Sequence, residues 1–339
     1  MKARRSDRWV WLIGQRFRKA MAALALAFVG MIALAGPAAA QLCQGQFTDI
    51  SFGTINPTTG FASDAAGTLS LQCQGTPNAT ARVCPSIGSG QAGDAGSATA
   101  RYLSSGANNL LFSIFQDAAR TIPWGSYTWA YAAQAPSPQF DIPLGPTGQA
   151  TRTYSVYGRI FAGQPGAAIG AYSSNFNGVQ VLIASALSTV GGCAIISGLG
   201  GRRSNFVVNA TVSRTCSLTT TPLNFGTIGA LTAALDGSAQ LRVTCTVGTP
   251  YSIGLNGGAS GATSPTLRKM TNATPSTVTY GLYGDAARTQ PWFNTNAFFQ
   301  GGGTGNGLTQ TLNVFGRIPV QATPPPGTYT DSVVVVVTY

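Results

Sequence analysis

Hydrophobic and polar residues alternate along this chain in short stretches, which is the period of a β-strand with one buried and one exposed face. Clear examples are residues 68–73 (TLSLQC), 205–212 (NFVVNATV) and 239–245 (AQLRVTC). Gly, Pro and Asn separate the stretches, and no amphipathic helical pattern of any length follows residue 40. The pattern predicts an all-β protein made of Ig-like β-sandwiches.

The stretch at residues 331–339 (DSVVVVVTY) does not alternate, because its five consecutive valines are apolar on both faces. Such a run indicates a strand buried in a sandwich core. An uncovered strand of this kind recruits other chains through its free hydrogen-bonding edge. We therefore expect another part of the chain, or a partner protein, to cover it.

The chain contains the same pattern twice, in one order and at nearly fixed spacing. Each copy starts with a cysteine followed nine residues later by Phe-Gly, at Cys43 and at Cys216. Residues 117–124 and 285–292 then differ at one position in eight, and both end in tryptophan. We predict two tandem domains, residues 41–213 (the first copy) and 214–339 (the second copy).

The two copies differ at their ends. The first copy continues past its last matched strand into the alternating stretch at residues 205–212, whereas the second copy has no equivalent stretch. We therefore predict that the second copy is an incomplete sandwich that lacks its last strand.

Residues 1–40 have a basic start, a short apolar run and a small-residue end, which predicts a secretory signal peptide. Removing the seven basic residues and the one acidic residue in this segment lowers the net charge from +11 to +5. The remaining basic residues are scattered arginines and one lysine, so we expect no nucleic-acid partner.

The remaining chain has no histidine and no glutamate, and its eight acids are all aspartates. A carbohydrate-active enzyme, the alternative from another functional class, would need two paired carboxylates. We instead predict that Asp117 and Asp285 fix turns before the core residues Trp124 and Trp292. The glycines at 301–303 precede no Lys-Ser/Thr, so they predict a flexible hairpin connection rather than a phosphate loop. We expect no enzyme, no cofactor and no metal site.

All six cysteines follow residue 40, and an even number in an exported chain predicts three disulfides. They are Cys43, Cys73, Cys84, Cys193, Cys216 and Cys245. The repeat makes the first two equivalent to the last two, so each of these pairs is expected to join the first two strands of its copy. Cys84 and Cys193 then remain for each other, and other pairings stay open.

The second copy resembles the spore coat protein U domain, which subunits of archaic, Csu-type chaperone–usher pili use. The motifs that carry the resemblance are Cys, Phe-Gly, Cys-Thr, Tyr-x-Leu-Tyr-x-Asp, Trp, Phe-Gly-Arg-Ile and Pro-Gly-x-Tyr-x-Asp. They lie at Cys216, Phe225-Gly226, Cys245-Thr246, residues 280–285, Trp292, residues 315–318 and residues 326–331. The first copy carries a looser version of the same pattern.

The resemblance implies that a PapD-like periplasmic chaperone, and then the adjacent pilin subunit at an outer-membrane usher, supplies the missing strand. The edge that receives it is expected at Val333, Val335, Val337 and Tyr339. Cys43 would be the third residue after signal cleavage, and two residues span at most about 7 Å, too little for a donor strand. We therefore expect export through the periplasm and a place at the pilus tip, as an adhesin that mediates surface attachment and biofilm formation.

An insertion found only in the first copy carries clustered aromatic residues, among them Trp129, Tyr131 and Phe140. Aromatic side chains grouped in a loop predict a binding surface, here for an abiotic or host surface. The alternative is a small satellite core beneath a long loop. The alternative to the pilus function is a secreted coat or matrix protein with the same fold.

Overall fold

The computed structural model describes residues 42–97, 99–128, 136–274 and 276–339. These residues form twenty-one strands, one short helix and two 3-10 turns, Pro57–Thr59 and Gly178–Gln180. The all-β prediction is confirmed. No helix among the described residues is long and apolar enough to cross a membrane.

Strands β1 to β13 come from the first copy. They are β1 Leu42–Phe47, β2 Ile50–Ile55, β3 Ser63–Gln74, β4 Thr80–Ile87, β5 Asp94–Ser97, β6 Ala100–Ser105, β7 Asn108–Phe115, β8 Phe140–Pro143, β9 Gln149–Ile160, β10 Gly170–Phe176, β11 Val181–Leu187, β12 Arg202–Arg203 and β13 Phe206–Val212. Helix α1, Cys193–Gly198, lies between β11 and β12. The strands form a nine-stranded sheet ordered β1-β3-β9-β7-β6-β10-β13-β2, with β5 paired to β6, and a four-stranded sheet ordered β12-β11-β4-β8.

Strands β14 to β21 come from the second copy. They are β14 Cys216–Thr220, β15 Leu235–Cys245, β16 Pro250–Leu255, β17 Arg268–Thr271, β18 Thr277–Tyr283, β19 Gly301–Thr304, β20 Thr309–Ile318 and β21 Val335–Thr338. One sheet is ordered β14-β15-β20-β18-β17 and the other β19-β16-β21. The order β14-β15-β20-β18 repeats β1-β3-β9-β7, as expected for two copies of one pattern.

The sequence predicts a flexible hairpin connection at glycines 301–303. This prediction is wrong, because these residues belong to strand β19. A Cβ atom at Gly301 would collide with the Trp292 ring, and one at Gly302 would collide with the Tyr251 carbonyl oxygen. Glycine is needed here because β19 lies so close to its neighbours.

Each copy has its own core, with a tryptophan at its centre. Trp124 and Trp292 are both 1% exposed. Their indole N–H groups donate to equivalent carbonyls, of Pro85 at 2.7 Å and of Ile253 at 2.8 Å. Both tryptophans are core anchors, as predicted.

The two repeated aspartates fix the turns before these tryptophans. The Asp117 carboxylate accepts hydrogen bonds from the backbone N–H groups of Thr121 and Ile122. Asp285 repeats the arrangement in the second copy, with the N–H groups of Thr289 and Gln290. The turn role that the sequence predicts for both residues is confirmed.

Two of the three disulfides pair as the repeat predicts, and the remaining one joins the two cysteines that the repeat leaves over. They are Cys43–Cys73, Cys84–Cys193 and Cys216–Cys245. The first and third join opposite residues of β1 and β3 and of β14 and β15. The second attaches helix α1 to β4, so it holds the connection that leads to β13.

Stability is expected to stay constant from about pH 8 to pH 5 and to fall below about pH 4. Hydrogen bonding by Arg159 holds the pKa of Asp64 below its usual value, and Arg317 does the same for Asp236. A carboxylate whose folded-state pKa is lowered stabilises the fold above its unfolded pKa, and this contribution is lost as pH falls through the folded value. The chain has no histidine that could titrate between these limits.

Thermal melts followed by circular dichroism from pH 8 to pH 2 test this pH dependence of stability. Asp64→Asn is the control and is expected to lose part of the acid dependence. A transition near pH 6 would contradict it.

Candidate functional site

Strand β13 fills the space between β2 and β10 in the first copy. It pairs antiparallel with β10 over seven residue pairs and parallel with β2. Every second side chain of β13 faces the core and is at most 3% exposed. These side chains are Phe206, Val208, Ala210 and Val212. β13 therefore completes both the sheet and the core of the first copy.

The second copy has the equivalents of β2 and β10, but no described strand lies between them. Residues 223–228 correspond to β2 when both copies are counted from their first cysteine. Residues 327–333 correspond to β10, because Tyr172 and Tyr329 each donate a hydrogen bond to the carbonyl four residues earlier. We call the space between residues 223–228 and 327–333 the open groove.

The exposure of side chains at matched positions shows which residues lack a covering strand in the second copy. Ile55 in β2 is 6% exposed, whereas its counterpart Ile228 is 43% exposed. Phe176 in β10 is fully buried, whereas its counterpart Val333 is only half-buried. Two apolar walls thus face solvent in the second copy where β13 covers them in the first.

Tyr280 forms the floor of the open groove. Its ring packs edge-on against Phe225, with ring centroids 6.1 Å apart, as Phe112 packs against Phe52 in the first copy. Only the second copy has a hydroxyl here, and it donates to the Asp331 carboxylate at 2.6 Å. Burial, and then this hydrogen bond, raise the pKa of Tyr280.

Asp331 attaches the open edge to the loop after β16. Its Oδ1 atom accepts from the backbone N–H groups of Ala259 and Ser332, each at 2.7 Å. The first copy has Ser174 at this position, and its hydroxyl accepts from the N–H of Ala92 at 3.3 Å. The link from edge to loop is therefore common to both copies, but the carboxylate–tyrosine pair belongs to the second copy alone.

A fully buried arginine lies behind the groove. Arg268 donates to four backbone carbonyls, at 2.6 to 3.0 Å. The acceptors belong to Leu255, Asn256, Pro265 and Trp292. Burial lowers the pKa of Arg268 to about 10, and of its first-copy counterpart Arg101 to about 9. Neither arginine was predicted from the sequence as a buried residue, although an arginine at matched positions of the repeat is a usable signal.

The structure separates the four residues that the sequence places on the receiving edge. Val333 borders the open groove. Val335 and Val337 lie in β21, half-buried against the second core and paired with β16. Tyr339 follows β21 and is 52% exposed. The edge of the groove therefore runs along residues 327–333, ahead of most of the predicted positions.

The predicted binding loop is only partly described. Trp129 and Tyr131 lie outside the described residues. Phe140 is not a loop residue: it begins β8 and stacks on Tyr154, with ring centroids 3.8 Å apart. Its ring also lies 6.2 Å from that of Trp124, so packing against the first core explains it.

Comparison with known proteins agrees with the repeat. The model of the Spore Coat Protein U domain family matches residues 30–178 and 203–336. Protein U of Myxococcus xanthus is 35% identical over 165 residues, which cover 44% of this chain and 78% of that protein.

Two solved structures are also similar to this chain. One is the chaperone–tip subunit complex CsuC–CsuE from archaic chaperone–usher Csu pili of Acinetobacter baumannii, 17% identical with a TM-score of 0.49, covering 88% of this chain and all of that one. Another is the CupB6 tip adhesin from Pseudomonas aeruginosa, 10% identical with a TM-score of 0.38, covering 88% of this chain and 95% of that one.

Proposed function

Since this chain belongs to the Spore Coat Protein U domain family, we propose that it is a structural adhesin at the tip of a chaperone–usher pilus. In this proposal, the open groove receives a strand from a periplasmic PapD-like chaperone. The adjacent pilin subunit then replaces that strand at the outer-membrane usher.

The observation that carries the proposal is the contrast between the two copies. The first copy contains β13 at the position where the second copy has the open groove. A strand added there would pair with residues 327–333 and cover Ile228 and Val333, as β13 covers their counterparts. An apolar groove with an unpaired edge is unfavourable for a free exported protein and suitable for one that is completed by another chain.

A position at the tip is supported by the strands of the first copy, which are already paired within that copy. The first copy holds its own β13 and so leaves no groove for a donor. Strand β1 is paired with β3 along its whole length, and the Cys43–Cys73 disulfide fixes it there. Residues from Leu42 onward are therefore not free to enter another subunit. With residues 1–40 proposed as a signal peptide that is removed, the proposed subunit accepts a strand without giving one.

Expression in the periplasm with and without a PapD-like chaperone tests the proposal. We expect the chain to be soluble only as a 1:1 complex with the chaperone. Ile228→Lys, which places a charge on the groove wall, should abolish this complex. The matched control Leu267→Ala changes a side chain that is 57% exposed outside the groove and should leave the complex intact. A stable free monomer would refute the open-groove function.

Attachment is assigned to the insertion that the sequence predicts to be a loop, with Trp129 and Tyr131. The described residues on its N-terminal side support this, because Ile122 is 51% and Tyr127 37% exposed. Trp129→Ala combined with Tyr131→Ala is expected to reduce attachment to plastic severalfold while pili still assemble, because aromatic side chains supply most of the apolar contact area. Bacteria with the same pilus carrying Leu267→Ala serve as the control. Unchanged attachment by the double variant would remove the loop from the proposal.

A secreted coat protein with the same fold is the second candidate. The description of the matching family and the 35% identity to Protein U favour it. A coat protein that assembles no fibre needs no chaperone, so the solubility experiment separates the two functions.

A further inference from the structure

The first copy shows how a closing strand aligns with its groove. Val208 of β13 lies opposite Ser174 of β10, and both side chains face the core, at 0% and 2% exposed. Asp331 is the counterpart of Ser174 in the second copy. A strand that entered the open groove in the register of β13 would therefore place one side chain directly opposite the Asp331 carboxylate.

The Asp331 carboxylate has most of its hydrogen-bonding capacity in use, but not all of it. It accepts from the Tyr280 hydroxyl and from the N–H groups of Ala259 and Ser332. An ionised carboxylate has about four acceptor positions, so about one remains for an incoming group. Closing the groove with a strand would also remove this carboxylate from water.

The chemistry of the incoming side chain then decides the free-energy cost of burying the Asp331 carboxylate. A valine in that place would cover the carboxylate with methyl groups and leave its last acceptor position unfilled, which is unfavourable for a buried charge. A hydroxyl or amide side chain would donate the missing hydrogen bond, and bonds to charged acceptors are among the stronger ones.

This difference matters because the chain carries a strand that could otherwise fit its own groove. β13 has the required apolar alternation. Before the first copy has closed around it, β13 of one molecule could enter the open groove of another and make a head-to-tail contact that does not close. Specific interfaces commonly exclude such partners by a mismatched polar group.

We propose that Asp331, held by Tyr280, selects the donor strand: it favours a strand with a hydroxyl or amide side chain opposite Asp331 and disfavours β13 of a second copy of this chain. The inference rests on the proposed function, since it specifies the chemistry of the strand that the open groove takes.

Donor-strand exchange with two peptides tests the selection. One peptide has the sequence of residues 205–213, and the other differs by Val208→Thr, which keeps the shape of valine and adds a hydroxyl. The full exported chain is used in its complex with the chaperone, and release of the chaperone is measured. We expect the threonine peptide to exchange about tenfold better, the effect of one hydrogen bond to a charged group.

Asp331→Ser, which installs the residue of the first copy, should remove this preference and allow higher multimers to form through β13. Tyr280→Phe, also the first-copy residue, removes one donor from Asp331 and frees a second acceptor position. It should therefore strengthen the preference, and it serves as a second variant if Asp331→Ser does not fold. Equal exchange of both peptides by the unsubstituted chain would overturn the inference while leaving the open groove in place. Exchange of neither peptide by any variant would overturn the open groove, and the inference with it.

Discussion

Val208→Asp is expected to unfold the first copy. Val208 is fully buried at the centre of β13, between β10 and β2. Placing an unpaired carboxylate at such a site costs about 3–5 kcal/mol or more. That is a large part of the about 5–15 kcal/mol by which a domain is stable.

The thermal melt of the chaperone-bound chain measures this effect, with periplasmic yield as a second readout. Thr211→Asp is the matched control, because Thr211 is an exposed residue of the same strand, and we expect a change within about 0.5 kcal/mol there. If the two variants melt together, β13 does not close the first core in solution.

Arg268→Met is expected to produce the second large loss, in the second copy. The substitution leaves four backbone carbonyls without their guanidinium donor, and each unsatisfied buried acceptor costs about 1–3 kcal/mol. Methionine fills much of the space but donates nothing. We expect a loss of more than about 3 kcal/mol, because several buried carbonyls lose a donor at once. The Pro265 carbonyl keeps a second hydrogen bond, from the Leu282 N–H at 3.3 Å.

Two further variants make this result specific. Arg268→Lys keeps a charge and three donors but loses the planar fork, so it should lose less stability than the methionine variant. Arg242→Met removes an exposed arginine of β15 and should have little effect. If Arg268→Met left the free energy of unfolding unchanged, the cost of burying the guanidinium would equal the stabilisation from its hydrogen bonds.

Alternation and repetition in the sequence predicted most of the fold. The all-β class, the two repeated disulfides and the turn role of Asp117 and Asp285 followed from spacing and from comparison of one copy with the other. The pairing of Cys84 with Cys193 stayed open, because the second copy has no counterpart of it. These features depend on local pattern or on covalent chemistry, which a sequence displays directly.

Features that depend on close tertiary approach were not predicted. Glycines 301–303 form a strand because they pair with β16, which is distant along the chain. Glycine is needed at residue 301 because the Trp292 ring leaves no space there for a side chain. Phe140 packs against Tyr154 although it follows a loop rich in aromatic residues. Arg268 is buried because carbonyls from several separate segments converge on it. The arrangement of the paired sheets as an Ig-like sandwich, and the domain boundaries at residues 213 and 214, stay predictions.

The short link between β13 and β14 has a mechanical consequence. Only residues 213–215 separate the two strands, and Thr246 holds this link through the Ser213 carbonyl and the Thr215 N–H. In the proposed pilus, tension between an anchored first copy and the rest of the fibre would therefore pull along the length of β13. In that direction its bonds to β10 and β2 are loaded together in shear, instead of opening one after another. The strand that completes the first core would thus also be the one that resists detachment under flow.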